Sequence, residues 1–282
     1  MGSKTLHPLV SVIDLSKADL SSHTDFKFGF YTILLSECKC EAYRYGHQYY
    51  DFSDGTLLSL TPGESISMKE NNKEFPSKGW ILAFHPDLIC GTPLGLNIHN
   101  YTFFSYCPEE ALHLSLREKQ IILEFLERIR QELERCIDRH SKKIISKYIE
   151  LLLDYCTRFY ERQFITRSEV NKKVFREFNH LLDNHFNVKV SLSTDVLSDE
   201  YCANLLHLSP AYFNDLLKYE IGKEFKEYIQ FKLFEIAKGW LVNTDKTLGQ
   251  IAQELGFSNS QYFSRLFKKI TGCSPNEFRM PN

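Results

Sequence analysis

The chain has 282 residues, a formal net charge of −2, 43% hydrophobic and 14% aromatic residues. That length suits two domains, and the apolar content excludes a disordered or low-complexity chain. Eight cysteines, at 38, 40, 90, 107, 136, 156, 202 and 273, show no CxxC pairing or disulfide framework, and no secretory signal or apolar run near 18 residues stands out. A reducing cytoplasm is the expected compartment.

The first hundred or so residues read as short strands separated by turn residues. KFGFYTILLSE, CEAYRYGHQYYDF, GTLLSLTPGESISM, KGWILAFHPDLI and LNIHNYTFFSY alternate with signals such as Asp54-Gly55 and Pro62-Gly63. Many short strands with this punctuation suggest a β-barrel or jelly roll. A barrel interior offers a place for a small molecule, and Arg44, Tyr45, His47, Trp80 and His85 are the polar and aromatic candidates on those strands. The competing reading is that the barrel is filled by its own side chains.

A helical stretch follows. Ser115 and Glu118 have capping-box spacing, and Ile121, Ile122, Phe125, Leu126, Ile129 and Leu133 form an apolar face. A second helix after Ser141 carries Ile144, Ile145, Tyr148, Ile149, Leu152, Tyr155, Cys156 and Phe159, so an antiparallel pair is predicted. Arg162 to Ser168, polar and without periodicity, is the expected linker.

The last third contains a repeat. AYFNDLLKYEIG (Ala211–Gly222) recurs as QYFSRLFKKITG (Gln261–Gly272), and Ala203 and Leu206 recur at Ala252 and Leu255 with an offset one residue shorter. One supersecondary unit used twice, with a period of about fifty residues, is the simplest account. In the second copy Phe263, Leu266, Phe267 and Ile270 fall on one helical stripe, opposite Gln261, Ser264, Arg265 and Lys268. Thr247 with Gln250 caps a preceding short helix that Gly256 ends; in the first copy Ser198 caps the first helix, and Ser209 with Pro210 starts the second. Helix, tight turn, helix is the pattern of a motif whose second helix enters the major groove of DNA.

These residues carry a resemblance. From about Val170 onward the chain resembles the double helix-turn-helix domain of the AraC/XylS family of bacterial transcription regulators, above all in GFSNSQYFSRLFKKITGCSPNEFR and LSPAYFNDLLK. Glu224–Thr244 is similar to that family's connecting helix, and TLLSLTPGESISM to its cupin-like sensing domain. The implied architecture is α+β: a cupin-like effector-sensing β domain at 1–112, a helical pair for dimerisation and linkage at 113–166, and an all-α double helix-turn-helix domain at 167–282. The implied partners are double-stranded promoter DNA, a small-molecule effector, a second copy of the chain and RNA polymerase. No cofactor is expected.

Candidate DNA contacts are Ser209, Ala211, Tyr212, Asn214, Asp215 and Lys218 in the first motif. In the second they are Ser258, Asn259, Ser260, Gln261, Ser264, Arg265, Lys268 and Lys269. Arg265 suits a bidentate contact to guanine, Asn214 one to adenine, and the lysines suit phosphates. Asp215 is open between accepting from cytosine and complementing a helix N-terminus. From Asn171 on there are 14 Lys plus Arg against 13 Asp plus Glu, so this half is not strongly basic.

Two other classes need residues that the chain does not set at the required spacing. A metal-dependent cupin enzyme needs an HxH pair, but Gln48 and Tyr49 follow His47, and His85 and His99 do not replace it by spacing. A DNA-repair methyl acceptor needs a four-cysteine zinc site that the scattered cysteines do not supply, and the lone Cys38–Cys40 pair is a weak metal signal. An effector-independent regulator controlled by dimerisation or a protein partner is the nearer alternative.

Overall fold

The computed structural model describes residues 6–18, 25–27, 29–37, 51–67, 78–188 and 197–280. The chain forms two compact units, Met1–Ser168 and Glu169–Asn282.

In the first unit the strands are β1 (Val10–Asp14), β2 (Asp25–Lys27), β3 (Tyr31–Ser36), β4 (Gly55–Leu60), β5 (Ser65–Ser67), β6 (Gly79–Phe84) and β7 (Leu112–Leu114). Five make an antiparallel sheet in the order β1-β6-β3-β4-β7, and β2 pairs with β5. Central strands read as nearly unbroken apolar runs because both faces of the sheet are covered. Ile33, Leu35, Leu57, Leu82 and Phe84 enter one core, whereas Leu34, Leu58, Leu60 and Ile81 enter another. Gly79 is required where β6 passes β3: its φ is +145°, and a Cβ there would lie 2.0 Å from the Leu35 carbonyl oxygen.

The structure differs from the sequence reading at three places here. KGWILAFHPDLI is strand only to Phe84, since Pro86 starts α1 (Pro86–Ile89) and the His85 ring nitrogen accepts from the Asp87 amide at 3.1 Å. LNIHNYTFFSY forms no strand. Leu96 and Asn97 end α2 (Pro93–Asn97), and 98–100 and 102–105 are single 3₁₀ turns that bury Phe103 and Phe104. β1 and β7 lie outside the runs marked as strands in the sequence.

α3 (Leu116–Leu133) and α4 (Ser141–Thr166) are the predicted pair, with the Ser115–Glu118 capping box closed. They run antiparallel, as Arg162 meets Glu118 at 2.8 Å and the Phe125 and Tyr155 rings lie 5.5 Å apart. Ile122, Leu126 and Ile129 of α3 and Ile149, Leu152 and Cys156 of α4 share the core that covers one face of the sheet.

The stretch Arg162 to Ser168, expected as a linker, ends at the boundary of the two units but is almost wholly helical. α4 runs through it to Thr166 and the next helix begins at Ser168. Its polar residues lack an outward periodicity because they point at buried partners. Arg162 holds Glu118 and the His113 carbonyl, and Arg167 grips Asp51 with two hydrogen bonds of 3.0 and 2.6 Å. The Asp51 and Arg167 side chains are only 0% and 8% exposed.

The second unit contains α5 (Ser168–Val188), α6 (Asp199–Leu205), α7 (Pro210–Ile221), α8 (Phe225–Asn243), α9 (Leu248–Glu254), α10 (Ser260–Thr271) and α11 (Pro275–Arg279). Phe178, Phe213, Phe234, Phe263 and Phe267 are fully buried in its core. Ala203 and Ala252, both buried, leave room for the following helix to cross closely. Cys202 is a core residue, and burial followed by nearby Asp199 pushes its thiol up to about 11.

The two turns match bond for bond. Leu208 N–H donates to the Ala203 carbonyl at 2.9 Å, and Phe257 N–H to that of Ala252 at 2.8 Å. Gly256 sits at φ +79°, and His207, its counterpart, holds the same left-handed region at φ +56°. The first copy goes from Leu208 directly to its cap Ser209, whereas the second inserts Ser258 before its cap Asn259. That inserted serine is the physical origin of the one-residue change in repeat offset. A β-branched side chain is strained at such a φ. His207→Val is therefore expected to lower unfolding stability by about 1–2 kcal/mol, with His207→Gly close to neutral, as read by urea denaturation.

Candidate nucleic-acid interface

α10 starts with Asn259, whose side-chain oxygen accepts from the Tyr262 amide at 2.7 Å. Phe263 and Phe267 fasten it to the core and Leu266 is half-buried, but Ile270, expected on the same stripe, is 44% exposed. Gln261, Arg265, Lys268 and Lys269 are all exposed, and the first three, at i, i+4 and i+7, share one helix face. None of the three cations is in an ion pair with a described residue, and the Arg265 guanidinium rests over the Tyr262 ring, 5.6 Å from its centroid. Ser264 turns inward and donates to the Ser260 carbonyl at 2.8 Å, while Ser258 is exposed in the turn. The result is a cationic face on a helix that is anchored from behind.

α7 has the same frame with different exposed chemistry. Ser209 and Tyr212 are buried at 4% and 5%, so their side chains are structural: Ser209 caps the helix by accepting from the Tyr212 amide. Ala211 and Asp215 are half-buried. The Asn214 amide donates to Asp199 Oδ2 at 2.9 Å and to the Pro210 carbonyl at 3.0 Å. Lys218 is paired with Glu224 at 3.1 Å. Asp199, Glu200, Asp215 and Glu220 oppose Lys218 alone in α6 and α7, whereas α9 and α10 set Glu254 against Arg265, Lys268 and Lys269. The first motif thus has a negative field and the second a positive one.

Asp199 and Arg279 were not among the sequence candidates. Asp199 lies fifteen residues before the amide it holds. Arg279 clamps the end of α8 to the start of the second motif by donating to the Leu241 and Lys246 carbonyls. The repeat could have flagged neither, because both act across elements.

Of the small-molecule candidates, Arg44, Tyr45 and His47 lie outside the described residues. Trp80 sits on the helix-facing side of β6, not on the face opposite, and lines an open cleft of about 480 Å³ with Gln120, Leu123, Glu124 and Gln131 of α3. His85 is the α1 cap and stacks edge-on against Phe30 at 5.5 Å. The structure does not bring these two together in a barrel interior. Among the described residues no group of three or more His, Cys, Asp or Glu side chains could hold a metal, and no helix is long and apolar enough to cross a membrane.

Comparison with known proteins agrees with this geometry. Residues 202–280 match the family model described as a helix-turn-helix domain. The chain is similar to the uncharacterized HTH-type transcriptional regulator YtdP of Bacillus subtilis, 32% identical over 111 residues, which are 39% of this chain and 14% of that one. It is also similar to the uncharacterized HTH-type transcriptional regulator YijO of Escherichia coli, 24% identical over 80% of this chain and 76% of the other. Among solved structures, the C-terminal domain of AraT, a response regulator from Geobacillus stearothermophilus, is 32% identical over 38% of this chain and 83% of its own, with a TM-score of 0.33. The chain spans 14%, 21% and 41% of the length of the first three curated relatives it matches. The paired motifs define the second unit as a double helix-turn-helix domain. It is an AraC/XylS-type domain.

Proposed function

We propose that the protein is a sequence-specific, DNA-binding transcription regulator of the AraC/XylS type acting in the cytoplasm. The observation that carries this is α10, an anchored helix whose exposed face presents Gln261, Arg265, Lys268 and Lys269 without an acid. In this reading Arg265 and Gln261 meet base edges, and Lys268 and Lys269 meet phosphates. The test is selection from a randomised duplex library by the purified protein at about 0.15 M salt, where electrostatic binding is already screened. Enrichment of one site is expected; a library left unenriched would overturn the reading.

In this reading the first unit is a cupin-like sensing domain that takes a small molecule, and Trp80 beside its cleft is the aromatic group best placed to meet it. A ligand acts there only by binding two states of the protein unequally. The helical pair joins two copies, which would read two half-sites and place the promoter-bound dimer beside RNA polymerase. Ile144 and Leu151, one heptad apart on α4, support this, being 37% and 46% exposed. Leu151→Glu is expected to convert dimer to monomer in analytical ultracentrifugation. A wild-type protein that is already monomeric at micromolar concentration would contradict the dimer.

A further inference from the structure

The two motifs share a backbone but differ at three of the four exposed polar positions of α10. Counting by the fifty-residue offset, Gln261 of α10 is replaced in α7 by Ala211, Arg265 by Asp215 and Lys269 by Tyr219. Lys268 keeps its counterpart Lys218, but that ammonium is paired with Glu224. Only Asn214 in α7 has an amide of the kind that reads adenine. A bidentate contact to adenine needs the amide both to donate and to accept, and the Asn214 nitrogen already donates to Asp199 Oδ2 and to the Pro210 carbonyl.

Phosphates make the difference larger. Asp199, Glu200, Asp215 and Glu220 surround the first motif with negative charge, which opposes close approach to the backbone oxygens. We propose that base reading rests on the second motif alone, through Gln261 and Arg265, and that the Asp199 carboxylate holds Asn214 of the first motif out of it. This inference rests on the DNA-binding reading above. It makes the first motif a spacer that orients α8 and the second motif, and it gives each chain a short recognition element of one major-groove segment.

The test is library selection at about 0.15 M salt with wild type, Asn214→Ala, Gln261→Ala and Asp199→Ala, each checked for an unchanged thermal melt. Asn214→Ala should enrich the wild-type site with its base preferences intact, and Gln261→Ala should lose roughly tenfold discrimination at one base pair. Asp199→Ala, with the amide released, should add an adenine preference beside the wild-type site. Loss of a preferred base in Asn214→Ala would overturn the proposal, as would an Asp199→Ala site identical to wild type. If wild type itself enriches nothing, the DNA-binding reading falls and this one with it, whereas any enriched site that depends on Asn214 removes only the asymmetry.

Discussion

Arg265→Glu is expected to reduce affinity for the selected site by at least roughly a hundredfold while leaving the fold intact. The substitution removes a side chain placed for a bidentate base contact, worth about 1–3 kcal/mol. It also puts a carboxylate among the cations of α10 that would meet a polyanion, changing the helix from a net charge of +3 to +1. Because Arg265 is exposed, with only the Tyr262 ring beneath it, stability should move by no more than about 0.5 kcal/mol. Fluorescence anisotropy with the labelled site, alongside a thermal melt, separates the two effects. Unchanged affinity with an unchanged melt would show that α10 does not face DNA.

Asp51→Ala should be the most destabilising single change among the described polar residues, by about 3–5 kcal/mol, because it leaves the buried Arg167 guanidinium without its bidentate partner. Arg167→Ala should cost a similar amount, since the buried carboxylate then loses both guanidinium hydrogen bonds. The double variant Asp51→Leu with Arg167→Met replaces the pair by apolar groups and should recover most of the loss. Chemical denaturation of the four proteins measures each loss and its recovery. If the double variant is as unstable as the sum of the single ones, the site depends on more than charge compensation.

The pair also explains what the sequence could not show. Asp51 and Arg167 are 116 residues apart, and nothing local in either neighbourhood announces the other. A polar stretch whose partners lie across the unit reads as a linker, though it is the last turn of α4. LNIHNYTFFSY misled for the opposite reason: its aromatics suit a strand, but Phe103 and Phe104 are buried from 3₁₀ turns.

The second unit was legible because its signals are local. Ser198, Ser209 with Pro210, and Thr247 with Gln250 each cap the helix that their spacing predicts, and Gly222, Gly256 and Gly272 each adopt the left-handed conformation that ends one. Among the DNA candidates, exposure followed helical periodicity in α10, where the polar face is wide. It failed at Tyr212, which repeats the exposed Tyr262 in sequence yet is buried. Asn214 was legible as a residue type but not as one already committed to Asp199. Composition gave a nearly balanced charge for this half of the chain, and taking the two motifs one at a time separates it into a negative motif and a positive one.

Methylation interference at guanine N7 tests the central claim most directly. In the selected site, one guanine whose N7 methylation blocks wild-type binding is predicted to lose that effect with Arg265→Ala, because the side chain that met N7 is gone. An interference pattern identical for wild type and Arg265→Ala would contradict the placement of α10 in the major groove.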